Sequence, residues 1–402
     1  MEGRPGATCS TRLRYNSVFL HLPMKRLLPL LLYFLAFPAV AQQPKYVAPQ
    51  PALSIAAKSY ILADVQSGQT LASENIHERV EPASLTKLMT AHIVFSALRQ
   101  KSITLTQVVP VSERAWRTQG SRMFIEPNKL VTVDELMRGM IVQSGNDACI
   151  ALAEVVAGSE AVFVAMMNKE AGRLGMKNTR FVNSTGLPHP DHYTTAYDLS
   201  LLAAAMIRDF PEYYPLYSLR EYTYNKITQP NRNRLLWLDP NVDGLKTGHT
   251  EAAGYCLITS AKRGERRLIS VVMGTSSENA RAIESQRLLN HGFQFYDTVH
   301  LYRKEHEVVA IQLWKGAQNK LKTGFGHDIY FSLPKGQSDK LKARVEYKQP
   351  LIAPVNAGQK VGRVKFTLDG KPMAEYPLVA LETVGVANIF GRAWDSMQLL
   401  FN

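Results

Sequence analysis

The sequence predicts an α/β (α+β) fold: a first domain with an antiparallel sheet flanked by helices, then a small all-β domain and a terminal helix. Three observations indicate this organisation. Strand patterns lie at both ends of the first domain with helical patterns between them, an order typical of helices packed on an antiparallel sheet. Past about Val299 short alternating runs are separated by Pro, Gly and Asn, which indicates an all-β domain. The final residues repeat apolar side chains at helical spacing.

The elements of the first domain follow from the hydrophobic pattern. Residues 60–65 and 70–73 flank a Gln-Ser-Gly-Gln turn and predict two paired strands. A segment after Pro82 is apolar almost all round, so we expect a buried central helix there. Residues 133–143 and 148–156 predict two helices joined by a short turn. The later elements are a hairpin formed by 254–261 and 268–274, and a helix over 279–291.

The second domain shows strand patterns at 328–333, 341–347 and 361–368. After it, residues 386–402 predict an amphipathic helix that is too short and too polar to span a bilayer. We expect it to lie in a membrane interface with Trp394 near the headgroups, the alternative being a helix docked on the β domain. Its apolar side carries Ile389, Phe390, Ala393, Trp394, Met397, Leu400 and Phe401.

The N-terminus resembles a targeting segment. Met24-Lys25-Arg26 gives a charged start, residues 27–40 are apolar, and Ala39-Val40-Ala41 supplies the small residues that a signal peptidase reads. The apolar run is too short for a transmembrane helix, so we expect a cleaved signal peptide and a mature chain that begins at Gln42. Residues 1–41 are therefore a leader, and translation is expected to start at Met24.

Charge and cysteine content limit the partners. The formal net charge is +13, and loss of residues 1–41 removes five basic residues and one acidic residue, which leaves +9. This balance suits an anionic polymer or an anionic membrane surface. Export and the lack of a dense basic run argue against nucleic acid. Cys149 and Cys256 remain after processing, and we expect two buried free thiols, although an oxidising compartment also permits a disulfide.

Three short motifs carry the chemistry. Residues 84–87 (Ser-Leu-Thr-Lys), 144–146 (Ser-Gly-Asn) and 246–248 (Lys-Thr-Gly) occur in this order at a helix start, a helix–helix turn and a strand. Singly each motif is common by chance, but the ordered combination is specific. Ser84 and Lys87 share one helix face, so the amine can serve as the base that a serine nucleophile needs. The start of the helix places backbone N–H groups near a developing oxyanion.

The other two motifs supply polar groups around that nucleophile. Ser144 can relay a proton to a leaving amine and Asn146 can hold a substrate amide, although both residue types also cap helices. Lys246 on a strand edge offers a positive charge for a carboxylate, and Thr247 adds a hydroxyl. Gly248 allows a ligand to approach the backbone closely.

With these motifs, the sequence resembles the low-molecular-mass penicillin-binding proteins, specifically the serine D-alanyl-D-alanine carboxypeptidases with a β-rich C-terminal domain. The resemblance runs from about Leu53 to the end and includes residues 231–237 (Asn-Arg-Asn-Arg-Leu-Leu-Trp) and 242–249 (Val-Asp-Gly-Leu-Lys-Thr-Gly-His). It implies a penicillin-binding/β-lactamase-like domain over 42–297, a β-rich domain over 298–385 and a membrane-anchoring helix over 386–402.

The resemblance also implies the function and the residue roles. Ser84 would form an acyl-enzyme with peptidoglycan stem peptides or with β-lactams, and Lys87 would be its general base. Lys246 would bind the terminal carboxylate, with Arg281 near it, and the backbone N–H groups of Ser84 and His249 would form the oxyanion hole. The family acts on the outer face of the cytoplasmic membrane, and this chemistry requires no cofactor.

Competing functions are less consistent with the sequence. His189 and His192 suggest a metal site, but they lie in a loop pattern without a third ligand, so we expect no metal. A class A β-lactamase uses a glutamate to activate water, and no Glu-x-x-Leu-Asn occurs between Asn146 and Lys246. One group of D,D-endopeptidases has a long insertion between the first two motifs. Here Ser84 and Ser144 are only 60 residues apart, which leaves no room for such an insertion. A non-catalytic cell-wall scaffold would not need intact catalytic motifs.

Overall fold

The computed structural model describes residues 14–20 and 53–401. The described residues divide into two compact units, one of residues 53–296 and one of residues 297–401 together with residues 14–20. The predicted signal peptide and the mature start at Gln42 lie outside the described residues. Within the leader, Arg14–Leu20 forms strand β1, which pairs antiparallel with a strand of the second unit.

The first unit contains a five-stranded antiparallel sheet with the order β3-β2-β10-β9-β8, and helices pack around it. The α/β prediction is confirmed. In chain order the elements are β2 (Ser59–Asp64), β3 (Thr70–Glu74), α1 (Lys87–Arg99), β4 (Val108–Pro110), α2 (Glu113–Arg117), β5 (Leu130–Thr132), α3 (Val133–Val142), α4 (Asn146–Ala157), α5 (Glu160–Arg173), α6 (Ala196–Asp209), β6 (Glu221–Tyr224), β7 (Ile227–Pro230), α7 (Leu235–Leu238), β8 (Val242–Thr250), β9 (Gly254–Arg263), β10 (Arg266–Thr275) and α8 (Glu278–Phe295).

The central helix α1 is buried on nearly all sides, as its composition predicts. Leu88, Met89, Val94 and Phe95 have no exposed surface and belong to the main hydrophobic core. A 3-10 turn over Ala83–Thr86 precedes the helix and leads directly into it. The Ser-Leu-Thr-Lys motif is thereby attached to a helix that is buried on nearly all sides.

The turn between α3 and α4 has well-defined ends. Thr132 and Glu135 form a reciprocal capping box that starts α3, and the helix ends at Val142. Ser144 then has φ of 60°, in the left-handed region, and α4 begins at Asn146. Both predicted helices are confirmed, whereas α5 and α6 were not predicted.

The described residues of the second unit form strands, apart from a 3-10 turn at Ser338–Lys340 and the last helix, in agreement with the predicted β-rich domain. A six-stranded sheet has the order β1-β15-β16-β17-β13-β12, a two-stranded sheet pairs β11 with β14, and their apolar side chains form a separate core. The elements are β11 (Tyr296–Tyr302), β12 (Glu307–Gln312), β13 (Lys320–Gly324), β14 (Ile329–Pro334), β15 (Leu341–Gln349), β16 (Lys360–Leu368), β17 (Lys371–Ala380) and α9 (Ile389–Phe401).

The terminal helix α9 has the predicted amphipathic character. Phe390 is 86% exposed and Leu400 is 83% exposed, so bulky apolar side chains face away from the β domain. On the other side, the Asp395 carboxylate accepts a hydrogen bond from the Lys315 backbone N–H and ties the helix to a loop. Over residues 14–20 and 53–401 no single helix has the length and apolarity to cross a membrane; only α4 and α5 together, bent by 84°, reach that length and composition.

Candidate active site

The three sequence motifs meet in the first unit. Ser84 lies in the 3-10 turn before α1, and Lys87 is the first residue of the helix. Ser144 and Asn146 come from the turn between α3 and α4. Lys246 lies on β8, the edge strand of the five-stranded sheet. Three separate segments of the chain thus supply one cluster of polar side chains.

Lys87 lies at the centre of the cluster and is only 1% exposed. Its Nζ is 3.0 Å from Ser84 Oγ, 2.7 Å from Asn146 Oδ1 and 2.6 Å from the Thr185 carbonyl oxygen. Three acceptors can use all three donors of a protonated amine, whereas a neutral amine can instead accept the Ser84 hydroxyl proton. The geometry therefore holds the amine at proton-transfer distance from the hydroxyl.

The environment makes Lys87 a base near neutral pH. Burial lowers the pKa of Lys87 to about 8, and the positive charge of Arg232 acts in the same direction, although the negative charge of Asp147 opposes the shift. Arg232 lies in the segment 231–237 that resembles the family, but its position in the sequence predicts no role. Arg232 lowers the pKa of Lys87 through space from a distant part of the sequence, so no sequence pattern predicts this effect.

A second serine–lysine pair adjoins the first. Lys246 Nζ is 2.9 Å from Ser144 Oγ and 3.1 Å from the Thr247 carbonyl oxygen, and Lys246 is 3% exposed. Burial lowers the pKa of Lys246 well below its ordinary value, and the nearby charge of Lys87 lowers it further. A substrate carboxylate placed beside Lys246 would oppose this shift and favour its charged form.

A loop packs onto the Ser-Gly-Asn turn and fixes it. Asn146 Nδ2 donates to the Gln119 carbonyl at 2.6 Å. The fully buried Asp147 carboxylate accepts the backbone N–H groups of Met123 at 3.0 Å and Phe124 at 2.8 Å. Ile125 donates a further N–H at 3.2 Å. Asp147 was not predicted to have a role, although a carboxylate in the first turn of an apolar helix is a sequence pattern that indicates one.

The backbone around Ser84 is closely packed. Ala83 has φ of 49°, and a Cβ added at Gly186 would lie 1.8 Å from the Ala83 carbonyl oxygen. A Cβ at Gly248 would lie 3.1 Å from Leu85 Cγ, so β8 passes directly beside the nucleophile turn. Only glycine fits at position 186, where φ is +86° as well.

A hydrogen bond joins the two segments that hold the predicted oxyanion-hole donors. Glu81 precedes Ser84 by three residues, and Thr250 follows His249 directly. Thr250 Oγ1 donates to Glu81 Oε2 at 2.9 Å and accepts the Ala253 N–H at 3.0 Å. This contact connects the nucleophile turn to the end of β8.

The remaining predicted residues surround β8. Thr247 is buried beside Lys246, whereas the His249 ring is exposed and stacks on Tyr255 at 4.0 Å. Arg281 is only 3% exposed, and its Nη1 donates to the Gly248 carbonyl at 3.4 Å. Arg281 therefore contacts the backbone of the Lys-Thr-Gly strand.

His192, Cys149 and Cys256 are buried in the protein interior. His192 Nε2 is 3.0 Å from Thr86 Oγ1 inside the core. Where the structure describes the chain, no three His, Cys, Asp or Glu side chains group as metal ligands. Cys149 and Cys256 are buried free thiols, as expected, and burial raises the pKa of Cys149 to about 12.

Comparison with known proteins identifies the family. The D-alanyl-D-alanine carboxypeptidase family model matches residues 44–277, and the model of the C-terminal domain of penicillin-binding protein 5 matches residues 296–386. The D-alanyl-D-alanine carboxypeptidase DacC of Escherichia coli is 44% identical over 357 residues, which are 87% of this chain and 89% of that protein. DacA of Haemophilus influenzae is 42% identical over 370 residues, covering 90% of this chain and 94% of its own length.

Solved structures agree. Penicillin-binding protein 5 from Haemophilus influenzae superposes with a TM-score of 0.81 at 43% identity, covering 83% of this chain and 99% of that one. Penicillin-binding protein D2 from Listeria monocytogenes, solved with ampicillin bound, has a TM-score of 0.56 at 32% identity, covering 61% of this chain and 100% of its own. The chain belongs to the D-alanyl-D-alanine carboxypeptidase family of low-molecular-mass penicillin-binding proteins, and it is a serine-type hydrolase.

Proposed function

We propose that Ser84 is the nucleophile of a D-alanyl-D-alanine carboxypeptidase that removes the terminal D-alanine from peptidoglycan pentapeptide stems. The observation that carries this assignment is the buried Lys87 amine, which lies 3.0 Å from Ser84 Oγ and has a pKa of about 8. A neutral amine there takes the hydroxyl proton as Ser84 Oγ bonds to the carbonyl carbon of the penultimate D-alanine. The backbone N–H groups of Ser84 and His249 would stabilise the oxyanion.

Collapse of the tetrahedral intermediate breaks the bond to the terminal D-alanine. The leaving nitrogen takes a proton from the Ser144 hydroxyl, which is replenished from the adjacent Lys246 ammonium at 2.9 Å. Asn146 holds the substrate amide and also orients Lys87 through its Oδ1. Water then attacks the Ser84 ester and gives a proton to the neutral Lys246. The Lys87 ammonium returns its proton to Ser84 Oγ as the ester bond breaks, and the shortened stem leaves.

Lys246, Thr247 and Gly248 recognise the free carboxylate of the terminal D-alanine in this proposal. The Lys246 charge lies on an edge strand of the sheet, and Thr247 adds a hydroxyl. Arg281 donates a hydrogen bond to the Gly248 carbonyl of the same strand. A substrate with an amidated C-terminus leaves the charge without its partner, which is costly in a buried site.

The test compares D-alanine release from a soluble pentapeptide with release from the same peptide amidated at its C-terminus. We expect a fall in kcat/KM of about tenfold to a hundredfold for the amide, corresponding to the loss of one charge-assisted contact. Lys246→Ala should lower the rate on the acid and remove most of the difference between the two substrates. Equal rates on acid and amide in the native enzyme would favour an endopeptidase.

β-Lactams are proposed as covalent inhibitors that acylate the same serine. Penicillin-binding protein D2 from Listeria monocytogenes has been solved in ampicillin-bound and cefotaxime-bound forms, which supports the transfer of this property. The β-lactam carboxylate would occupy the position of the terminal D-alanine carboxylate beside Lys246. Its carbonyl carbon would bond to Ser84 Oγ as the ring C–N bond breaks.

We further propose that the protein is exported and lies on the periplasmic side of the inner membrane. Residues 1–41 would be the leader, 42–297 the peptidase domain and 298–385 the β-rich domain. Residues 386–402 would attach the enzyme to the membrane, and the exposed apolar side chains of α9 support this. Deletion of residues 387–402 should give soluble protein that still binds penicillin. Continued sedimentation of the truncated protein with membranes would exclude the helix as the anchor.

A further inference from the structure

One face of the sheet in the second unit concentrates positive charge. Side chains alternate along β15 and β16, so Leu341, Val345 and Phe366 enter the core while the charged residues point outward. We call this outward surface of β15, β16 and β17 the basic face. Its basic side chains are Lys342, Arg344, Lys348, Lys360, Arg363 and Lys365.

The basic face holds most of the net charge of residues 297–402. Residues 297–402 contain 15 Lys and Arg against 10 Asp and Glu, a net charge of +5. The six basic residues of the face are opposed there by two acidic residues, Glu346 and Glu375, which leaves +4. Almost the whole excess of positive charge in residues 297–402 is therefore collected on one surface.

The two carboxylates already have partners within the face. Arg363 Nε is 2.9 Å from Glu346 Oε2, and Arg363 Nη1 is 3.3 Å from Glu375 Oε1. Lys365 Nζ is 3.0 Å from the same Glu346 oxygen. The exposed Lys342, Lys348 and Lys360 surround this paired centre. Alternate residues of a strand lie about 7 Å apart and neighbouring strands about 4.8 Å apart. These spacings are within the screening length of about 8 Å, so the charges act together.

The same surface contains a groove. A cavity of about 440 Å³ has Lys348, Lys360 and Arg363 among its charged lining residues and Tyr347, Pro350 and Leu351 among its less polar ones. A concave surface with apolar contacts and a charged border fits an extended chain better than a flat bilayer. Carboxylates inside a positive surface also suit a partner that carries amines as well as carboxylates.

We propose that the basic face docks the peptidoglycan polymer itself, through the carboxylates of stem peptides other than the one being cleaved. This proposal rests on the proposed function, because it identifies the polymer that supplies the substrate. Such a surface would retain the enzyme on its insoluble substrate between turnovers. It would raise the rate on the polymer and leave the rate on a short soluble peptide unchanged.

The test uses the full-length protein in detergent, with purified cell-wall sacculi as the probe. The charge-reversal variant Lys342→Glu/Lys348→Glu/Lys360→Glu changes the net charge of the face from +4 to −2. The matched control Lys177→Glu/Lys262→Glu/Lys335→Glu changes three exposed lysines outside the face by the same total charge. Sedimentation with sacculi is measured at low and high salt, together with D-alanine release from a soluble pentapeptide.

We expect the face variant to bind sacculi about tenfold more weakly at low salt, the difference to vanish at high salt, and the control to bind like the native protein. All three proteins should release D-alanine from the soluble peptide equally. Equal sacculus binding by the face variant, or an equal loss in the control, would overturn the proposal. So would a variant that keeps sacculus binding but loses binding to vesicles of anionic phospholipid, since the partner would then be the membrane. Failure of the native protein on soluble peptide would instead refute the proposed function.

Discussion

The active site contains two serine–lysine pairs that reach similar distances by different means. Ser84 and Lys87 are three residues apart at the start of one helix, and their side-chain atoms are 3.0 Å apart. Ser144 and Lys246 are 102 residues apart, on a helix–helix turn and an edge strand, and are 2.9 Å apart. Burial lowers the pKa of both lysines. The first pair is therefore set by local geometry and the second by tertiary packing.

This difference indicates a division of labour. The local pair comes from two residues at the start of one helix, and the Lys87 amine is also held by Asn146 and the Thr185 carbonyl. The second pair depends on how β8 lies against the α3–α4 turn, and its lysine faces the edge of the sheet where a substrate can bind. We interpret Ser84 and Lys87 as the pair that forms the acyl-enzyme bond. Ser144 and Lys246 are the pair that binds the substrate carboxylate and protonates the leaving amine.

The largest expected effect separates the two serines. Ser84→Ala should abolish covalent labelling by penicillin, because no other hydroxyl lies at 3.0 Å from Lys87 among the described contacts. Ser144→Ala keeps the nucleophile and should still be labelled, more slowly. Mass spectrometry of the penicillin-treated protein should find the adduct on the peptide containing Ser84. Persistent labelling of the Ser84→Ala protein would refute the assignment.

The two lysines should differ in which step they affect. Lys87→Ala removes the general base and should slow acylation by about 10²–10⁴-fold with the fold retained. Lys246→Ala should also raise KM for a peptide with a free carboxylate, because it removes the proposed charge partner. Acylation rates by penicillin and steady-state kinetics on the pentapeptide measure the two effects. If Lys87→Ala changed KM alone, the roles would be reversed.

The pH dependence tests the local pair in the native enzyme. Acylation requires neutral Lys87, whose pKa is about 8, so the protonated and inactive form dominates below that pH. The second-order rate of penicillin acylation should therefore rise about tenfold per pH unit below 8 and level off above it. Thermal unfolding measured at each pH provides the control for loss of structure. A rate that is flat or falls between pH 6 and 8 would contradict the assignment.

The smallest expected effect concerns the hydrogen bond between Thr250 and Glu81, which joins the end of β8 to the segment before Ser84. Thr250→Val removes the hydroxyl that donates to Glu81 at 2.9 Å. The loss of one hydrogen bond of about 1 kcal/mol should slow acylation roughly fivefold, with little change in penicillin affinity. Thr250→Ser restores the donor and should restore the rate. The exposed Thr223, 2.8 Å from Thr228 on another hairpin, provides a matched valine control. Equal slowing by Thr223→Val would show a general stability effect.

Much of the fold is predictable because it depends on local patterns. The burial of α1 follows from its uniform apolarity, and the β9–β10 hairpin follows from two apolar strands around a polar turn. Helices α5 and α6 escaped prediction although Ser159 and Thr195 cap their N-termini. Both helices bury apolar residues at helical spacing, Phe163, Met167 and Ala171 in α5 and Leu199, Leu202 and Met206 in α6, so the sequence pattern for each helix is present.

The site was predictable only as a set of motifs. The reach from Ser84 to Lys87 follows from helix geometry, so the sequence alone predicts that contact. The contacts of Lys246 with Ser144, and of Asp147 with the N–H groups of residues 123–125, join segments whose approach no local pattern encodes. The role of Arg232 in lowering both lysine pKa values is likewise set by long-range charge.

The close approach of Gly186 to the nucleophile turn limits how this enzyme can evolve under antibiotic pressure. Any side chain at position 186 would begin 1.8 Å from the Ala83 carbonyl oxygen and would displace the residue next to Ser84. Because that turn serves the natural substrate and the drug alike, a substitution there loses cell-wall processing together with penicillin binding. Changes at position 186 therefore cannot separate the two reactions, and a variant that distinguishes the drug from the stem peptide must be sought at other positions.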